Sequence, residues 1–180
     1  MPRSALIVID AQESFRHMPY WSDAELSAYL DRQQALIDGC ASRGVPVVQV
    51  FHVEATGPFA LESEHVKTMR GLSIEPTARF DKYYHSALAG TALPAWLVSR
   101  GIDRLIVSGM RTEQCCETTT RHASDSGFAV DYVSEATLTF PMTHARTGRH
   151  FTPQDIRERT ELVLEGRFAR IATVDDVLNG

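Results

Sequence analysis

The sequence predicts an α/β fold, and three observations carry that prediction. Short apolar runs rich in branched residues, Ala5–Ile9 and Leu105–Val107, are too brief for helices and suit strands covered on both faces. Elsewhere apolar residues recur near helical spacing, as at Leu26, Leu30, Ile37 and Cys40. The two patterns alternate along the chain, which is the signature of strand-helix-strand units and a parallel sheet. Together they give a three-layer α/β/α domain with a doubly wound, mostly parallel, Rossmann-like sheet. With 180 residues, 43% of them hydrophobic, the chain fits one domain spanning 1–180 with a sizeable core.

Ala5–Ile9 is the first strand and delivers Asp10 to its C-terminal end, a common site position in parallel sheets and equally a turn position. Ser22-Asp23-Ala24-Glu25 has the capping-box pattern, and a helix follows to about Ser42, where Gly44 stops it. Val45–Phe51 is the second strand, with Pro46 near its start where a missing N–H does least harm. From Val53 to Ala78 the pattern breaks at Gly57-Pro58, Gly71 and Pro76, which predicts loops and a short helix over one face. Arg79–Tyr84 is short and aromatic, and Leu93–Ser99 reads as a helix leading to the central strand, which Gly109 ends. Phe128–Val133 forms a further strand ending near Glu135. Thr152-Pro153-Gln154-Asp155 is a strong helix start, with an N-cap, proline at the first position and an acid in the first turn. That helix runs to Leu164, Phe168–Ala172 is the last strand, and Thr173 caps a closing helix.

Composition narrows the function. A formal charge of −5 without a Lys/Arg run argues against nucleic acid or a membrane surface and leaves small molecules as the expected partners. Three cysteines, two of them adjacent, make no disulfide framework, which points to a reducing, cytoplasmic setting. The N-terminal apolar run is too short for a signal segment or a membrane span.

The stretch Arg104–Gly127 organises the chain. After the strand, Thr112 is a good N-cap with Glu113 in the first turn, so a helix is expected to begin there. Cys115 then falls near the third helical position, where free N–H groups and the dipole favour a thiolate. Cys116 shares a stripe with Thr119, Thr120 and Ala123 and is assigned to packing. From this stretch alone both cysteines read equally well as small buried hydrophobes. If the first strand and the Arg104 strand are neighbours at the point where strand order reverses, Asp10 and Cys115 meet in one crevice.

Three segments, LIVIDAQESF, RFDKYYHSAL and VSGMRTEQCCETTTRHASDSG, resemble the signatures of the isochorismatase-like cysteine hydrolase superfamily, which includes nicotinamidases and N-carbamoylsarcosine amidohydrolases. The third segment is the most specific. The resemblance implies a triad of Asp10, Lys82 and Cys115, although a lone lysine is ordinarily a solvated surface charge. It implies an oxyanion site from the backbone N–H groups of Arg111 and Cys115, beside a cis peptide joining Met110 to Arg111. Asp10 would take the thiol proton, Lys82 would orient that carboxylate, and Asp10 would later activate water against a thioester. Gln12, Phe15, Trp21, Tyr83 and Tyr84 are the candidates for contacting substrate, with loop bracing or core packing as the plainer role. Relatives commonly form dimers or tetramers, so a homo-oligomer is expected.

Metal is the departure. Nicotinamidases carry an Asp-x-His pair after the second strand, where this chain reads Val50-Phe51-His52. His52, Glu54 and His65 lack a tight ligand spacing, so neither metal nor cofactor is expected, and nicotinamide is not the expected substrate. The leading reading is a cysteine hydrolase of a small amide, ureide or carbamoyl compound. Alternatives are an isochorismate-like vinyl ether hydrolase, with Arg111 suited to a carboxylate, and a non-catalytic binding or redox-sensing domain built on Cys115. No glycine-rich phosphate loop follows the first strand, which makes nucleotide binding the weakest reading.

Overall fold

The computed structural model describes residues 3–179. In chain order it contains β1 (Ser4–Ile9), α1 (Leu26–Ser42), β2 (Val47–His52), β3 (Ala78–Lys82), α2 (Leu93–Ser99), β4 (Arg104–Met110), α3 (Glu117–Asp125), β5 (Ala129–Leu138), the short strands β6 (Met142–Thr143) and β7 (His150–Phe151), α4 (Pro153–Leu164), β8 (Arg170–Ile171) and α5 (Val174–Asn179). The main sheet has the order β3-β2-β1-β4-β5-β8 and every pairing in it is parallel. β6 and β7 form a separate antiparallel hairpin. Strand order reverses between β1 and β4, which lie side by side with Ile9 opposite Gly109.

Alternation along β1 explains the three layers. Ala5, Ile7 and Ile9 face a cluster that includes Leu93 and Leu97 of α2, Ala123 of α3 and Leu164 of α4. Leu6 and Val8 face the opposite cluster, with Leu36, Ile37 and Cys40 of α1 and Val174 of α5. All five are fully buried, as expected for a strand covered on both sides. A third cluster, which includes Phe15, Tyr29, Phe59, Met69, Met110 and Phe140, packs around the ends of β4 and β5.

Several boundaries differ from the sequence reading. α1 starts at Leu26 after Glu25, and no side chain caps it; Ser22 Oγ instead accepts the Ala24 N–H at 3.3 Å, a local turn in place of a capping box. β2 begins at Val47, with Pro46 contributing only its carbonyl, which takes the Leu6 N–H at 2.9 Å. The 79–84 stretch supplies a true strand, β3, at the sheet edge and in register with β2, His52 opposite Lys82. β5 continues past Glu135 to Leu138 because an irregularity between Val107 and Gly109 resets its pairing, while the last strand shrinks to Arg170–Ile171. The Thr152 start is a full capping box, with Thr152 and Asp155 exchanging hydrogen bonds.

Gly109 does not end its strand. It sits inside β4 at φ 118°, and a Cβ there would lie 1.9 Å from Ile9 O. Only a residue without a side chain lets β1 and β4 approach this closely. Gly109→Ala is expected to cost at least ~2 kcal/mol of stability, measured as a lowered urea midpoint, or to prevent soluble folding; an unchanged midpoint would contradict this packing.

Candidate active site

The site forms beyond the C-terminal ends of β1, β3 and β4. Asp10 follows β1 with φ 51°, a left-handed backbone uncommon for a residue with a side chain, and its N–H donates to Val50 O at 2.8 Å. Lys82 closes β3, and its strand alternation turns it inward, fully buried. Its Nζ lies 2.8 Å from Asp10 Oδ2 and 3.3 Å from Cys115 Sγ. The contact to Asp10 is an ion pair without regular hydrogen-bond alignment, which leaves the carboxylate oxygens able to accept elsewhere. Asp10, Lys82 and Cys115 therefore converge as the sequence reading expected.

The turn carrying the sulfur differs from that reading. Thr112–Cys116 winds as a π-helical turn before α3, with Arg111 at the N-cap position. Thr112 does not cap; its hydroxyl meets Thr137 Oγ1 at 2.8 Å, and its carbonyl accepts from Tyr132 Oη at 2.9 Å, so β5 anchors the turn. The Arg111 carbonyl accepts from Gln114 N at 3.1 Å and from Cys116 N at 3.3 Å, passing over the Cys115 N–H. The Met110–Arg111 peptide is cis. Cys116, Thr119, Thr120 and Ala123 are all fully buried, consistent with the packing stripe.

The expected thiolate is not supported by the surroundings of Cys115. Burial, and then the Asp10 carboxylate, push its thiol well above the ordinary range, with Lys82 opposing only in part. Asp10 is itself raised, chiefly by burial, with Lys82 pulling the other way. For Lys82 burial works against the ammonium, but Asp10 and the sulfur outweigh it and the group is lifted. The balance at Lys82 thus favours its ammonium, and the surroundings of Cys115 favour the thiol over the thiolate.

Two histidines join this site: His52, which the sequence suggests only as a metal ligand, and His85, which it does not single out. His52 Nδ1 lies 3.2 Å from Lys82 Nζ, its Nε2 is 3.3 Å from Glu54 Oε1, and burial, then Lys82, lowers its basicity. His85 Nδ1 lies 3.8 Å from Cys115 Sγ. The sequence signal for His85 was its place three residues after Lys82, in the same segment. His65, the third residue weighed as a metal ligand, stacks on His17 at 3.7 Å. Among the described residues no three His, Cys, Asp or Glu side chains form a metal-holding group.

Comparison with known proteins decides the kinship. The isochorismatase domain family matches residues 4–151. The chain belongs to the isochorismatase family. Nicotinamidase 3 of Arabidopsis thaliana is 31% identical over 153 residues, covering 76% of this chain and 74% of that protein. Streptothricin hydrolase of Streptomyces noursei is 28% identical over 182 residues, 96% of this chain and 60% of that protein. An isochorismatase-like crystal structure from Burkholderia xenovorans superposes with a TM-score of 0.89 at 30% identity, covering 99% of this chain and 86% of that one.

Within this isochorismatase-family site the proposed substrate contacts separate. Gln12 is fully buried and spent on structure: its amide nitrogen donates to Ser14 Oγ at 2.9 Å and His52 O at 3.1 Å, and its oxygen accepts His52 N–H at 2.8 Å. Phe15 is buried edge-on against Phe59, with ring centroids 4.9 Å apart, and belongs to the core. Trp21 leans on Phe140 at 5.3 Å and gives its indole N–H to Asp23 at 3.0 Å, so it also packs. Tyr83 and Tyr84, each 63% exposed, do line an open cavity of about 650 Å³ together with His52, Glu54, His85 and Thr118. Arg111 already holds one carboxylate: its guanidinium pairs with Glu113 at 3.0 Å and lies 4.8 Å from the Tyr20 ring and 5.5 Å from that of Phe140, while its Nε has no hydrogen-bond partner among the described residues.

Two outcomes test this geometry. Alkylation of Cys115 by iodoacetamide should be slow at neutral pH and keep rising past about pH 9, where an unperturbed thiol levels off, because the folded protein holds the thiol protonated; a plateau below pH 8 in peptide-mapped alkylation would refute it. Gln12→Leu strands the buried-side His52 N–H and carbonyl and should lower unfolding free energy by ~1–3 kcal/mol in urea melts.

Proposed function

We propose that Cys115 is the nucleophile of a hydrolase acting on a small amide, ureide or carbamoyl compound through a thioester. The family, with a nicotinamidase and a streptothricin hydrolase among its similar members, makes the chain an amidohydrolase acting on C–N bonds. The observation that carries the cysteine reading is Lys82 Nζ placed 2.8 Å from Asp10 and 3.3 Å from Sγ with no exposure of either charged partner. Among side chains with this burial, a charged pair is costly unless it serves something beyond stability.

In this reading a thiol, not a thiolate, waits in the site. As sulfur attacks the carbonyl carbon, its proton passes to the Asp10 carboxylate, whose raised affinity suits a base held beside it. Lys82 keeps its charge, steadying first the carboxylate and then the emerging sulfur anion. The oxyanion falls to the backbone N–H groups of Arg111 and Cys115 at the helix entrance. Collapse breaks the C–N bond, Asp10 returns the proton to the departing nitrogen, and water then cleaves the thioester. Vinyl ether hydrolysis of an isochorismate-like acid is less favoured, since Glu113 already neutralises the arginine that reading needs.

The test is ammonia or amine release across a panel of small amides and ureides that includes nicotinamide, N-carbamoylglycine and biuret. Cys115→Ala and Asp10→Asn should each lower turnover of any accepted compound by more than ~10³-fold. Full activity in Cys115→Ala would remove the cysteine mechanism.

A further inference from the structure

The geometry points to His85 as a further catalytic residue, the base that activates the hydrolytic water against the acylated Cys115. The inference rests on Cys115 being the nucleophile. Asp10 approaches the sulfur from inside the protein, has no solvent exposure and is shut in by Lys82. Cys115 is only 6% exposed, and it is the more accessible of the two. In this proposal an acyl group on that sulfur stands between the solvent and Asp10, the less accessible of the two.

His85 stands on the other side. It is exposed, lines the open cavity with His52, Glu54, Tyr83 and Tyr84, and its Nδ1 is the ring atom 3.8 Å from Sγ. At that distance Nδ1 is within reach of the sulfur itself, and so of a water held beside it against the thioester carbon. The ring of His85 lies nearly parallel to that of His52, 10° between planes with centroids 6.3 Å apart. His52 is committed through Nδ1 to Lys82 and through Nε2 to Glu54, whereas among the described residues the one side-chain hydrogen-bond partner of His85 Nδ1 is the sulfur. The two imidazoles therefore have different duties, one braced and one facing the reacting atom.

The step balances without any added reactant. His85, with Nδ1 unprotonated, takes a proton from water as the water oxygen bonds to the thioester carbon. The tetrahedral adduct then collapses, the C–S bond breaks, the acid departs, and Nδ1–H hands its proton to Sγ. Enzyme and thiol return to their starting states, leaving Asp10 to serve the acylation half alone.

An activated ester isolates this half, because p-nitrophenolate leaves without needing an acid. With p-nitrophenyl acetate, the wild-type protein should release p-nitrophenolate and shed the acetyl group from Cys115 quickly. His85→Gln should be acetylated at a similar rate but deacetylate ~10²–10⁴-fold more slowly, so that intact mass and peptide mapping find acetyl accumulating on Cys115. His85→Ala should behave alike and be accelerated by added imidazole, an effect that a merely structural role would not produce. Deacetylation of both variants at the wild-type rate would overturn the role of His85 while leaving Cys115 as nucleophile. A wild-type protein never acetylated on Cys115, with Cys115→Ala releasing p-nitrophenolate equally well, would instead overturn the nucleophile reading on which this role rests.

Discussion

The fully buried contact between Asp10 and Lys82 is the constraint around which the rest of the site is arranged. Removing two charges from water costs several kcal/mol per ion, and their mutual attraction repays this only in part. The strand order makes the contact available. β1 and β3 are separated by β2, so the lysine must reach across the end of the intervening strand, where His52 stands opposite it and touches its ammonium. Gln12 in turn ties that strand end to the loop after β1 by bonding both the N–H and the carbonyl of His52. The ion pair, the histidine and the glutamine thus fix the relative heights of three neighbouring strands.

The protonation of the sulfur follows from competing magnitudes. A helix terminus stabilises a nearby anion by ~0.3–1 kcal/mol, rarely as much as ~2, and one pKa unit corresponds to ~1.4 kcal/mol. The helix entrance can therefore lower a thiol by little more than one unit. Burial beside a carboxylate acts in the opposite sense and is the larger effect at Cys115. In the proposed mechanism a base adjacent to a neutral thiol replaces a preformed thiolate, so the raised proton affinity of Asp10 matters there more than the position of the helix.

Much of this arrangement was legible in the residues. The apolar runs mark strands covered on both faces, and the strand end at Asp10 together with the helix after β4 locates the crevice. Periodicity failed where local chemistry was ambiguous. Thr112 has the composition of a cap, but its hydroxyl found Thr137, a partner twenty-five residues later that no local pattern announces. β3 was obscured because an edge strand of five residues carrying Arg79, Asp81 and Lys82 lacks the apolar continuity of a central one. His85 lies three residues after Lys82 in the same segment, but that spacing alone does not say which side chain its ring faces.

The contact between Ile9 and the backbone at Gly109 also bears on how such a site changes over time. Two strands pressed together without a side chain between them make the base of the crevice rigid and intolerant of new volume. Acceptance of a different small molecule must then come from its rim, where Tyr83, Tyr84 and Glu54 stand exposed. Descendants of this chain would diversify their substrates by replacing those few outer residues while inheriting the chemistry beneath them unaltered.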